Sequence, residues 1–352
     1  MDEKAVKIGK HFISPKHPPF IVAEISGNHQ MSLKKAMKLV DAASEAGVQA
    51  IKLQTYTAET MTLNLKKPPF LLEDKKSLWC GRTLYSLYEE AFTPWEWHKP
   101  LFDHAKKLGL IAFSSPFDET SVDFLEKLHV PCYKIASLEL VNHPLIARAS
   151  KTKKPLIMST GGASLSEIDE AVRLARKNGC KDIILLKCSS AYPAPVESFN
   201  LKTLPHMAEA FQVIVGLSDH SLSLGVPLAS IAYGSSLIEK HITLSRKDKA
   251  IDGAFSLEPS EFKTLAEESL SAWKAQGRVF YGANDFEQTE YINRRSLYIQ
   301  KDIKKGEVLK KEHIKAVRPG GGLQPKYLDI VVGHQVKKDL KVGTPLSWEH
   351  LA

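Results

Sequence analysis

The sequence has few cysteines, and their spacing predicts neither a disulfide framework nor a cysteine-based metal site. Only four occur in 352 residues, at Cys80, Cys132, Cys180 and Cys188, and no two form a C-x-x-C pair. Small secreted domains that depend on disulfides carry cysteines far more densely. We therefore expect a reduced compartment and unpaired thiols.

Long apolar runs and a leader peptide are also missing. No stretch reaches the roughly 18 apolar residues that a membrane span needs, and Met1-Asp2-Glu3-Lys4 leads into no signal-peptide core. With 43% hydrophobic and 25% charged residues, the composition is that of an ordinary soluble protein. These features predict a cytoplasmic protein that has no membrane partner.

A glycine-rich nucleotide-binding motif is the third absence. No G-x-G-x-x-G follows the first apolar run, Phe20–Ser26, so the open doubly wound sheet that binds dinucleotides is the less favoured alternative. The net charge of +8 could indicate a polyanionic partner, but the lysines are mixed with acids along helical patterns such as Glu167–Arg176 and Glu261–Lys274. We expect a solvated surface and a site for small anions, with no nucleic acid partner.

What the sequence does contain is a regular alternation of strand-like and helical patterns. Apolar runs predict strands at Phe20–Ser26, Ala50–Thr55, Leu110–Ser115, Cys132–Ser137, Pro155–Thr160, Asp182–Ser189, Gln212–Ser218 and Ser236–Thr243. Helical spacing predicts helices at Ser32–Ala46, Pro94–Leu108, Glu119–Leu128, Pro144–Lys151, Leu165–Asn178, Leu222–Tyr233 and Pro259–Ala275. About eight β/α units over about 270 residues predict a TIM (β/α)8 barrel, an α/β fold.

This alternation breaks at two places, which define the predicted organisation of the chain. The segment Tyr56–Thr93, with a predicted helix at Trp79–Tyr88, is longer than ordinary βα loops and predicts a lid or a specificity element. After residue 275 the sequence turns polar, and after residue 295 short β-like runs are broken by glycine and proline. We predict a barrel domain at 1–275, a linker at 276–295 and a small second domain at 296–352.

Two histidines, His220 and His241, each stand where an apolar run ends and a loop begins. In a β/α barrel these positions open onto the C-terminal face, where such barrels carry their chemistry. Two imidazoles from neighbouring strands could bind one divalent metal, Mn²⁺ or Mg²⁺, and leave positions for water and substrate. Taken alone, two of 13 histidines at strand ends favour the simpler interpretation, that they only make local hydrogen bonds.

Lysines and hydroxyls at the other strand ends make the chemical interpretation stronger. Lys52 and Lys134 lie midway along apolar runs, where burial is costly unless an anion or a carboxylate pairs with them. Hydroxyls often only cap helices, but here several of them accompany the two lysines. The set predicts a site for phosphate and carboxylate groups, with Glu24 as a candidate general acid or base.

At this point the ordered motifs resemble a known family. They are Ala-Glu24-Ile-Ser-Gly-Asn28-His29, Ile-Lys52-Leu-Gln54-Thr, Phe-Ser114-Ser115-Pro-Phe, Tyr-Lys134-Ile-Ala-Ser137, Ser159-Thr160-Gly161, Tyr192-Pro193, Gly-Leu-Ser218-Asp219-His220 and Glu-Lys-His241. Together they resemble the sialic acid synthase family over essentially the whole chain. The tail, from Ser296 through Arg318-Pro319-Gly320, resembles the antifreeze-like (SAF) domain that ends those synthases.

The resemblance implies a reaction and a set of roles. Phosphoenolpyruvate condenses with the aldehyde of an acetamido sugar, and a metal held by His220 and His241 assists. Phosphoenolpyruvate would bind to Lys52, Ser115, Lys134, Ser137, Ser159, Ser190 and Ser218, while Gln54, Tyr192 and Asp252 would face the sugar or the attacking water. Glu24 is the preferred residue for proton transfer, with Glu139 as its rival. Arg318 would reach a partner subunit's site, which implies a domain-swapped homodimer.

Motifs in the long segment resemble the branch of that family that makes pseudaminic acid. They are Leu78-Trp79, Leu84-Tyr85-Ser-Leu-Tyr88-Glu89 and Thr93-Pro-Trp-Glu-Trp97-His98, together with Lys187-Cys188-Ser189-Ser190. The alternatives are synthases of N-acetylneuraminic or legionaminic acid. More distant ones are a class I aldolase with Lys134 as its Schiff-base lysine and a sugar-binding or ice-binding protein on an inert barrel.

Overall fold

The computed structural model describes residues 5–75 and 78–352, and the chain divides into two compact units after Gly277. The first unit, residues 1–277, contains the strands β1 (Val6–Ile8), β2 (His11–Ile13), β3 (Phe20–Glu24), β4 (Ala50–Thr55), β5 (Ile111–Pro116), β6 (Tyr133–Ile135), β7 (Leu156–Ser159), β8 (Ile183–Cys188), β9 (Ile214–Asp219) and β10 (Leu237–His241). Strands β3 to β10 form a closed eight-stranded barrel, and all of their pairings are parallel. The predicted TIM barrel is confirmed.

Helices connect the barrel strands. They are α1 (Leu33–Glu45), α2 (Ala58–Met61), α3 (Leu84–Ala91), α4 (Trp95–Lys107), α5 (Glu119–Lys127), α6 (His143–Ser150), α7 (Leu165–Lys177), α8 (Thr203–Phe211), α9 (Gly225–Ala232) and α10 (Pro259–Gln276), with short 3-10 helices at Ser26–His29, Ser137–Val141, Val196–Phe199, Arg246–Asp248 and Gly253–Phe255. Helix α7 shows why these boundaries could be predicted. Ser164 accepts from the backbone N–H of Glu167, whose side chain accepts in return from the N–H of Ser164. This capping box satisfies two backbone donors that the first turn leaves free.

The interior of the barrel is apolar in its N-terminal half. Phe20, Val22 and Leu237 pack there with Val6 and Ile8 of the β1–β2 hairpin in one buried cluster. The hairpin therefore closes the bottom of the barrel, because its side chains meet residues at the start of the barrel strands. The polar groups inside the barrel lie at the other end, where the C-terminal ends of the parallel strands meet.

Strand alternation decides which residues face that end. In β10, Glu239 and His241 share a side with Leu237 and point into the barrel, whereas Ile238 and Lys240 point toward the helices. The same alternation places Ser218 inside and Asp219 outside in β9. Successive side chains of a strand point to opposite faces, so each strand end supplies the cavity with every second residue.

The structure differs from the predicted helices at two places. The helix predicted at Trp79–Tyr88 begins only at Leu84 and runs to Ala91, because Thr83 caps it by accepting from the N–H of Ser86. Helix α8 was not predicted at all. It carries Pro205 in its first turn, where a missing N–H costs nothing, but in the sequence that proline favours a loop.

The second unit, residues 278–352, is a small separate fold. It contains β11 (Ser296–Ile299) and β12 (Ile314–Val317), paired antiparallel, the helices α11 (Gln288–Ile292) and α12 (Leu328–Val331), and 3-10 helices at Lys311–His313, Pro325–Tyr327 and Trp348–His350. Its own buried cluster includes Leu297, Ile303, Leu309 and Leu346. Helix α11 lies inside the stretch predicted as a linker, which is therefore partly helical.

Two observations bear on the surroundings of the protein. In residues 5–75 and 78–352, no helix combines the length and the apolar character that crossing a membrane requires. All four cysteines are free, and only Cys80 is exposed.

Two buried histidines beside the barrel lead to a prediction about acid stability. Burial lowers the pKa of His29 and of His98 to about 4. His98 donates through Nδ1 to the carbonyl oxygen of Pro94 at 3.3 Å, so its Nε2 accepts from Thr55 Oγ1 at 2.8 Å. His29 accepts the N–H of Met31 at Nδ1. Both rings are therefore bound in the neutral form.

Because the folded pKa is depressed, the unfolded chain takes up protons first as the pH falls. Each histidine therefore contributes to the free energy of unfolding fully above pH 6.5. As the pH falls from 6.5 to 4, each loses a contribution of about 3 kcal/mol. The free energy of unfolding, measured with urea, should fall with decreasing pH in the wild type. We expect this slope to be smaller in His98→Gln, by up to about 1.4 kcal/mol per pH unit between pH 6.5 and 4. His143→Gln, at an exposed position, is the control. Equal slopes for wild type and His98→Gln would contradict the prediction.

Candidate active site

A cavity of about 390 Å³ opens at the C-terminal ends of the barrel strands. Its polar lining includes Ser26, Lys52, Gln54, Ser115, Lys134, Ser137, Glu139, Tyr192, Ser218, His220, Glu239, His241 and Asp252. These residues come from strands on opposite sides of the barrel and from the loops that follow them. The closed barrel thus brings together groups that are more than two hundred residues apart in sequence, such as Ser26 and Asp252.

Two lysines and two glutamates form a buried ion-pair network at the floor of this cavity. The ammonium of Lys52 contacts the carboxylate of Glu24 and lies 3.4 Å from Oε1 of Glu239, and Lys134 lies 3.0 Å from the same oxygen. Lys52 also donates to Ser115 Oγ at 3.0 Å. All four charged side chains are at most 6% exposed. Buried charges persist only when paired, so the network supplies two fixed cations to any anion that enters.

The surroundings shift the pKa values of the two glutamates, Glu239 and Glu24, in opposite directions. Burial alone would raise the pKa of Glu239, but Lys134 and Lys52 outweigh it and lower that pKa to about 2. For Glu24, burial prevails over Lys52 and raises the pKa. Two carboxyl groups of one network are therefore suited to different tasks, one as a permanent anion and the other as a proton carrier.

Glu24 lies just behind the surface of the cavity. Its Oε1 accepts from the backbone N–H of Ser26 at 2.8 Å, while its Oε2 forms the ion pair with Lys52. The hydroxyl of Ser26, which does line the cavity, donates to the Asp252 carboxylate. Glu24 thus reaches the cavity through Lys52 and Ser26. Ser26 and Glu239 were not predicted as site residues from the sequence. Glu239 could have been found, because it lies two positions before His241 in the same strand and so points to the same side.

The two predicted metal ligands lie side by side. The rings of His220 and His241 are 5.3 Å apart between centroids, a separation that one ion bound to a ring nitrogen of each at about 2.0–2.1 Å can bridge. His220 donates through Nδ1 to the carbonyl oxygen of Ser189 at 3.0 Å, which leaves its Nε2 lone pair free. Burial lowers the pKa of His241 well below its ordinary value, so it is neutral, as a metal ligand must be.

An unsatisfied atom supports the fit of a metal here. Nδ1 of His241 is buried without a hydrogen-bond partner in the part of the chain that the structure describes, and it lies 3.8 Å from the Asp252 carboxylate. Among the described residues, no cluster of three or more His, Cys, Asp and Glu side chains is arranged as a metal site. The donor set is therefore two imidazoles with a nearby carboxylate, which fits a cation that also takes oxygen ligands from substrate and water.

A narrow niche lies beside the lysines, where β7 and β8 end. Gly161 donates its N–H to Ser137 Oγ at 3.1 Å, and a Cβ at Gly161 would stand 2.3 Å from Ser190 Oγ and 3.3 Å from Cys188 Sγ. Only glycine fits this approach. Ser159 is buried at the end of β7, and the hydroxyl oxygens of Ser159 and Ser190 have no hydrogen-bond partner among the described residues. Such free hydroxyls are suited to an incoming anion.

The structure brings most, but not all, of the predicted site residues to the cavity. Glu24, Ser159 and Ser190 lie beside it without forming its lining. Arg318 belongs to the second unit, where it follows β12, and its role stays a prediction. The roles of all the other residues likewise remain predictions, although their proximity is now observed.

Residues 39–281 match the NeuB family. The chain belongs to the NeuB family. Residues 294–352 match the SAF domain, so the second unit of this NeuB family chain corresponds to the antifreeze-like tail that the sequence resembles.

Three relatives describe the position of the chain within the NeuB family. A pseudaminic acid synthase of Helicobacter pylori is 43% identical over 94% of this chain and 97% of its own length. An N,N'-diacetyllegionaminic acid synthase of Campylobacter jejuni is 35% identical over 91% of this chain and 96% of its own length. The crystal structure of the N-acetylneuraminic acid (sialic acid) synthetase of Leptospira borgpetersenii in complex with citrate shares 30% identity and a TM-score of 0.73, covering 82% of this chain and 95% of that one.

Proposed function

We propose that this protein is a pseudaminic acid synthase. It condenses phosphoenolpyruvate with 2,4-diacetamido-2,4,6-trideoxy-L-altrose to give pseudaminic acid and phosphate, in a metal-dependent reaction. The observation that carries the chemistry is the single cavity that presents Lys52 and Lys134 opposite His220 and His241. The 43% identity to a pseudaminic acid synthase, against 35% to a legionaminic acid synthase, supports the choice of sugar. The alternatives are N-acetylneuraminic and legionaminic acid as products.

In this reaction the two lysines bind and orient phosphoenolpyruvate. Its phosphate and carboxylate are anions, and a fixed pair of ammonium groups lowers the cost of removing them from water. Ser115, Ser137, Ser159, Ser190 and Ser218 add hydroxyl donors around them. Because Glu239 and Asp252 also face the cavity, a trianionic substrate needs further positive charge there, and a divalent cation supplies it.

In the proposed reaction one C–C bond forms and one C–O bond breaks. C3 of phosphoenolpyruvate bonds to the aldehyde carbon of the open-chain sugar, and the aldehyde oxygen takes up a proton. Water adds at C2, the C2–O bond to phosphate breaks as the new C2 hydroxyl becomes the ketone, and a nine-carbon 2-keto acid and phosphate leave. Of the two protons of the water, one balances the proton taken up by the aldehyde oxygen and the other leaves with phosphate. Glu24 transfers the proton in this proposal, with Glu139 as its rival, while Gln54, Tyr192 and Asp252 hold the sugar and the water.

His220 and His241 would hold the divalent metal, Mn²⁺ or Mg²⁺. When bound, such an ion acts as a Lewis acid toward a carbonyl oxygen and lowers the pKa of bound water. The contribution of the protein is the orientation of the rings, which for His220 the hydrogen bond to the Ser189 carbonyl provides.

The assembly and location complete the proposal. Arg318 of one subunit binds the sugar in the site of its partner, so that the catalytic unit is a domain-swapped homodimer. A fixed guanidinium that aligns the sugar lowers the entropic cost of the reaction. We place the reaction in the cytoplasm, which four unpaired cysteines support.

A class I aldolase would use Lys134 as a Schiff-base amine, which must be neutral to attack a carbonyl. Burial lowers the pKa of Lys134, but the Glu239 carboxylate 3.0 Å away opposes that shift and would have to be displaced or neutralised before a neutral amine could attack. Borohydride treatment in the presence of substrate distinguishes the two mechanisms. We expect no covalent adduct on the protein, and a trapped adduct on Lys134 would support the aldolase.

Phosphate release from phosphoenolpyruvate tests the proposed function directly. Metal-stripped and Mn²⁺-restored protein would be offered the diacetamido altrose sugar, its legionaminic acid counterpart and N-acetylmannosamine in parallel. We expect metal-dependent release with the altrose sugar alone. Release only with N-acetylmannosamine or with the legionaminic precursor would keep the chemistry and overturn the substrate.

A further inference from the structure

The long segment after β4 forms an apolar side of the cavity. Met61, Leu72, Trp79 and Leu84 line it, and we call these four side chains the apolar wall. They come from two stretches on either side of a turn in the chain. The floor of the same cavity is made of lysines, glutamates and histidines, so the cavity has one charged end and one apolar side.

Backbone hydrogen bonds hold the apolar wall in place. The N–H of Leu72 donates to Arg82 O at 2.9 Å, that of Gly81 to Leu72 O at 2.7 Å, and that of Leu84 to Phe70 O at 2.9 Å. Leu71 and Thr83 form an antiparallel bridge between the same two stretches. Leu72 and Leu84 are therefore positioned by a short ladder, and the wall is part of the fold of the segment.

A chain of rings joins the apolar wall to the charged floor. The ring of Tyr192 lies 4.5 Å from that of His220 and 6.0 Å from that of Trp79. A sugar that has its reacting carbon next to His220 and lies along Tyr192 would have its far end at Trp79 and the other wall residues. Met61, Leu72 and Leu84 offer no strong hydrogen-bond donor or acceptor to it.

We propose that the apolar wall is the specificity element of the site and selects sugars that carry methyl groups at their far end over sugars that carry hydroxyls there. This inference rests on the proposed function. The trideoxy altrose sugar has a methyl group at C6 and an acetamido methyl at C4, whereas N-acetylmannosamine has hydroxyls at both carbons. A hydroxyl against Met61, Leu72 or Leu84 loses its water without gaining a partner. An apolar pocket discriminates against an added hydroxyl by roughly 10²-fold.

Met61→Gln tests the inference with little risk to folding, since the two side chains have similar shape and Met61 is only half-buried. The measured quantity is the ratio of kcat/KM for the trideoxy altrose sugar to that for N-acetylmannosamine. We expect Met61→Gln and Leu72→Asn each to lower this ratio at least about 10-fold, while the KM for phosphoenolpyruvate stays unchanged. Leu72→Met should retain the wild-type ratio.

Leu63→Asn is the matched control, because Leu63 lies in the same segment but is 62% exposed and does not line the cavity. It should leave the ratio unchanged. If the wild type converts the trideoxy sugar, and Met61→Gln and Leu72→Asn have the same ratio of kcat/KM values as the wild type, the inference is wrong while the proposed function stands. If the wild type is inactive with that sugar and active with N-acetylmannosamine, the proposed function and the inference fall together.

Discussion

Glu24→Gln is expected to lower kcat by about 10² to 10⁴-fold, the usual contribution of a positioned general acid or base. The amide keeps the shape of the side chain and can still accept the N–H of Ser26, but it cannot carry a proton between water and substrate. The burial that raises the pKa of Glu24 keeps a proton available nearer to neutral pH than in an exposed glutamate. The measurement is the steady-state rate of phosphate release at saturating substrates.

Glu139→Gln is the comparison, because this rival acid lies in the 3-10 helix Ser137–Val141 and lines the cavity. We expect it to cost less than about 10-fold in kcat, because no buried lysine pairs with Glu139 among the described ion pairs, whereas Lys52 pairs with Glu24. A larger loss for Glu139→Gln than for Glu24→Gln would reverse the assignment. Circular dichroism and a phosphoenolpyruvate titration of each variant would separate a catalytic loss from a loss of fold or binding.

Lys240→Met is expected to lower the free energy of unfolding by about 3–5 kcal/mol, the cost of leaving a buried charge without its partner. Lys240 lies 2.7 Å from the Asp219 carboxylate, and both side chains are 0% exposed. The same ammonium donates to the carbonyl oxygen of Ser221 at 2.6 Å. Urea unfolding at neutral pH measures the effect.

Lys99→Met provides a matched control for this prediction. Lys99 lies 2.7 Å from Asp103, the same separation, but these side chains are 71% and 56% exposed. Exposed pairs contribute about 0–1 kcal/mol, so this variant should unfold almost as the wild type does. The double variant Lys240→Met with Asp219→Leu should recover part of the loss, because it removes both buried charges. Equal stabilities for Lys240→Met and Lys99→Met would contradict the argument.

The buried pair also borders the predicted metal ligands in sequence. His220 lies between Asp219 and Ser221, and His241 follows Lys240. Asp219 and Lys240 point outward from neighbouring strands and pair with each other. This pairing fixes the position of one strand end relative to the other, and with it the positions of His220 and His241. Loss of the pair should therefore weaken Mn²⁺ binding, which calorimetry can follow in variants that remain folded.

Much of the barrel could be predicted from the sequence, because its signals are local. Apolar runs and capping residues such as Ser164 lie within a few residues of the boundaries that they set. Strand β4, predicted at Ala50–Thr55, has these same bounds in the structure. The positions of His220 and His241 at strand ends were likewise visible in the sequence, because they follow directly from the ends of apolar runs.

The barrel, the strand ends and the residue types that gather there could thus be predicted from the sequence. Which of these groups contact each other was known only from the tertiary structure. The contacts of Glu239 with both lysines, the pairing of Lys240 with Asp219 and the placement of Glu24 behind Lys52 depend on the register between strands. The apolar wall depends on how a long segment folds back over the cavity. Register and loop closure are set by contacts between distant residues, which no local pattern records.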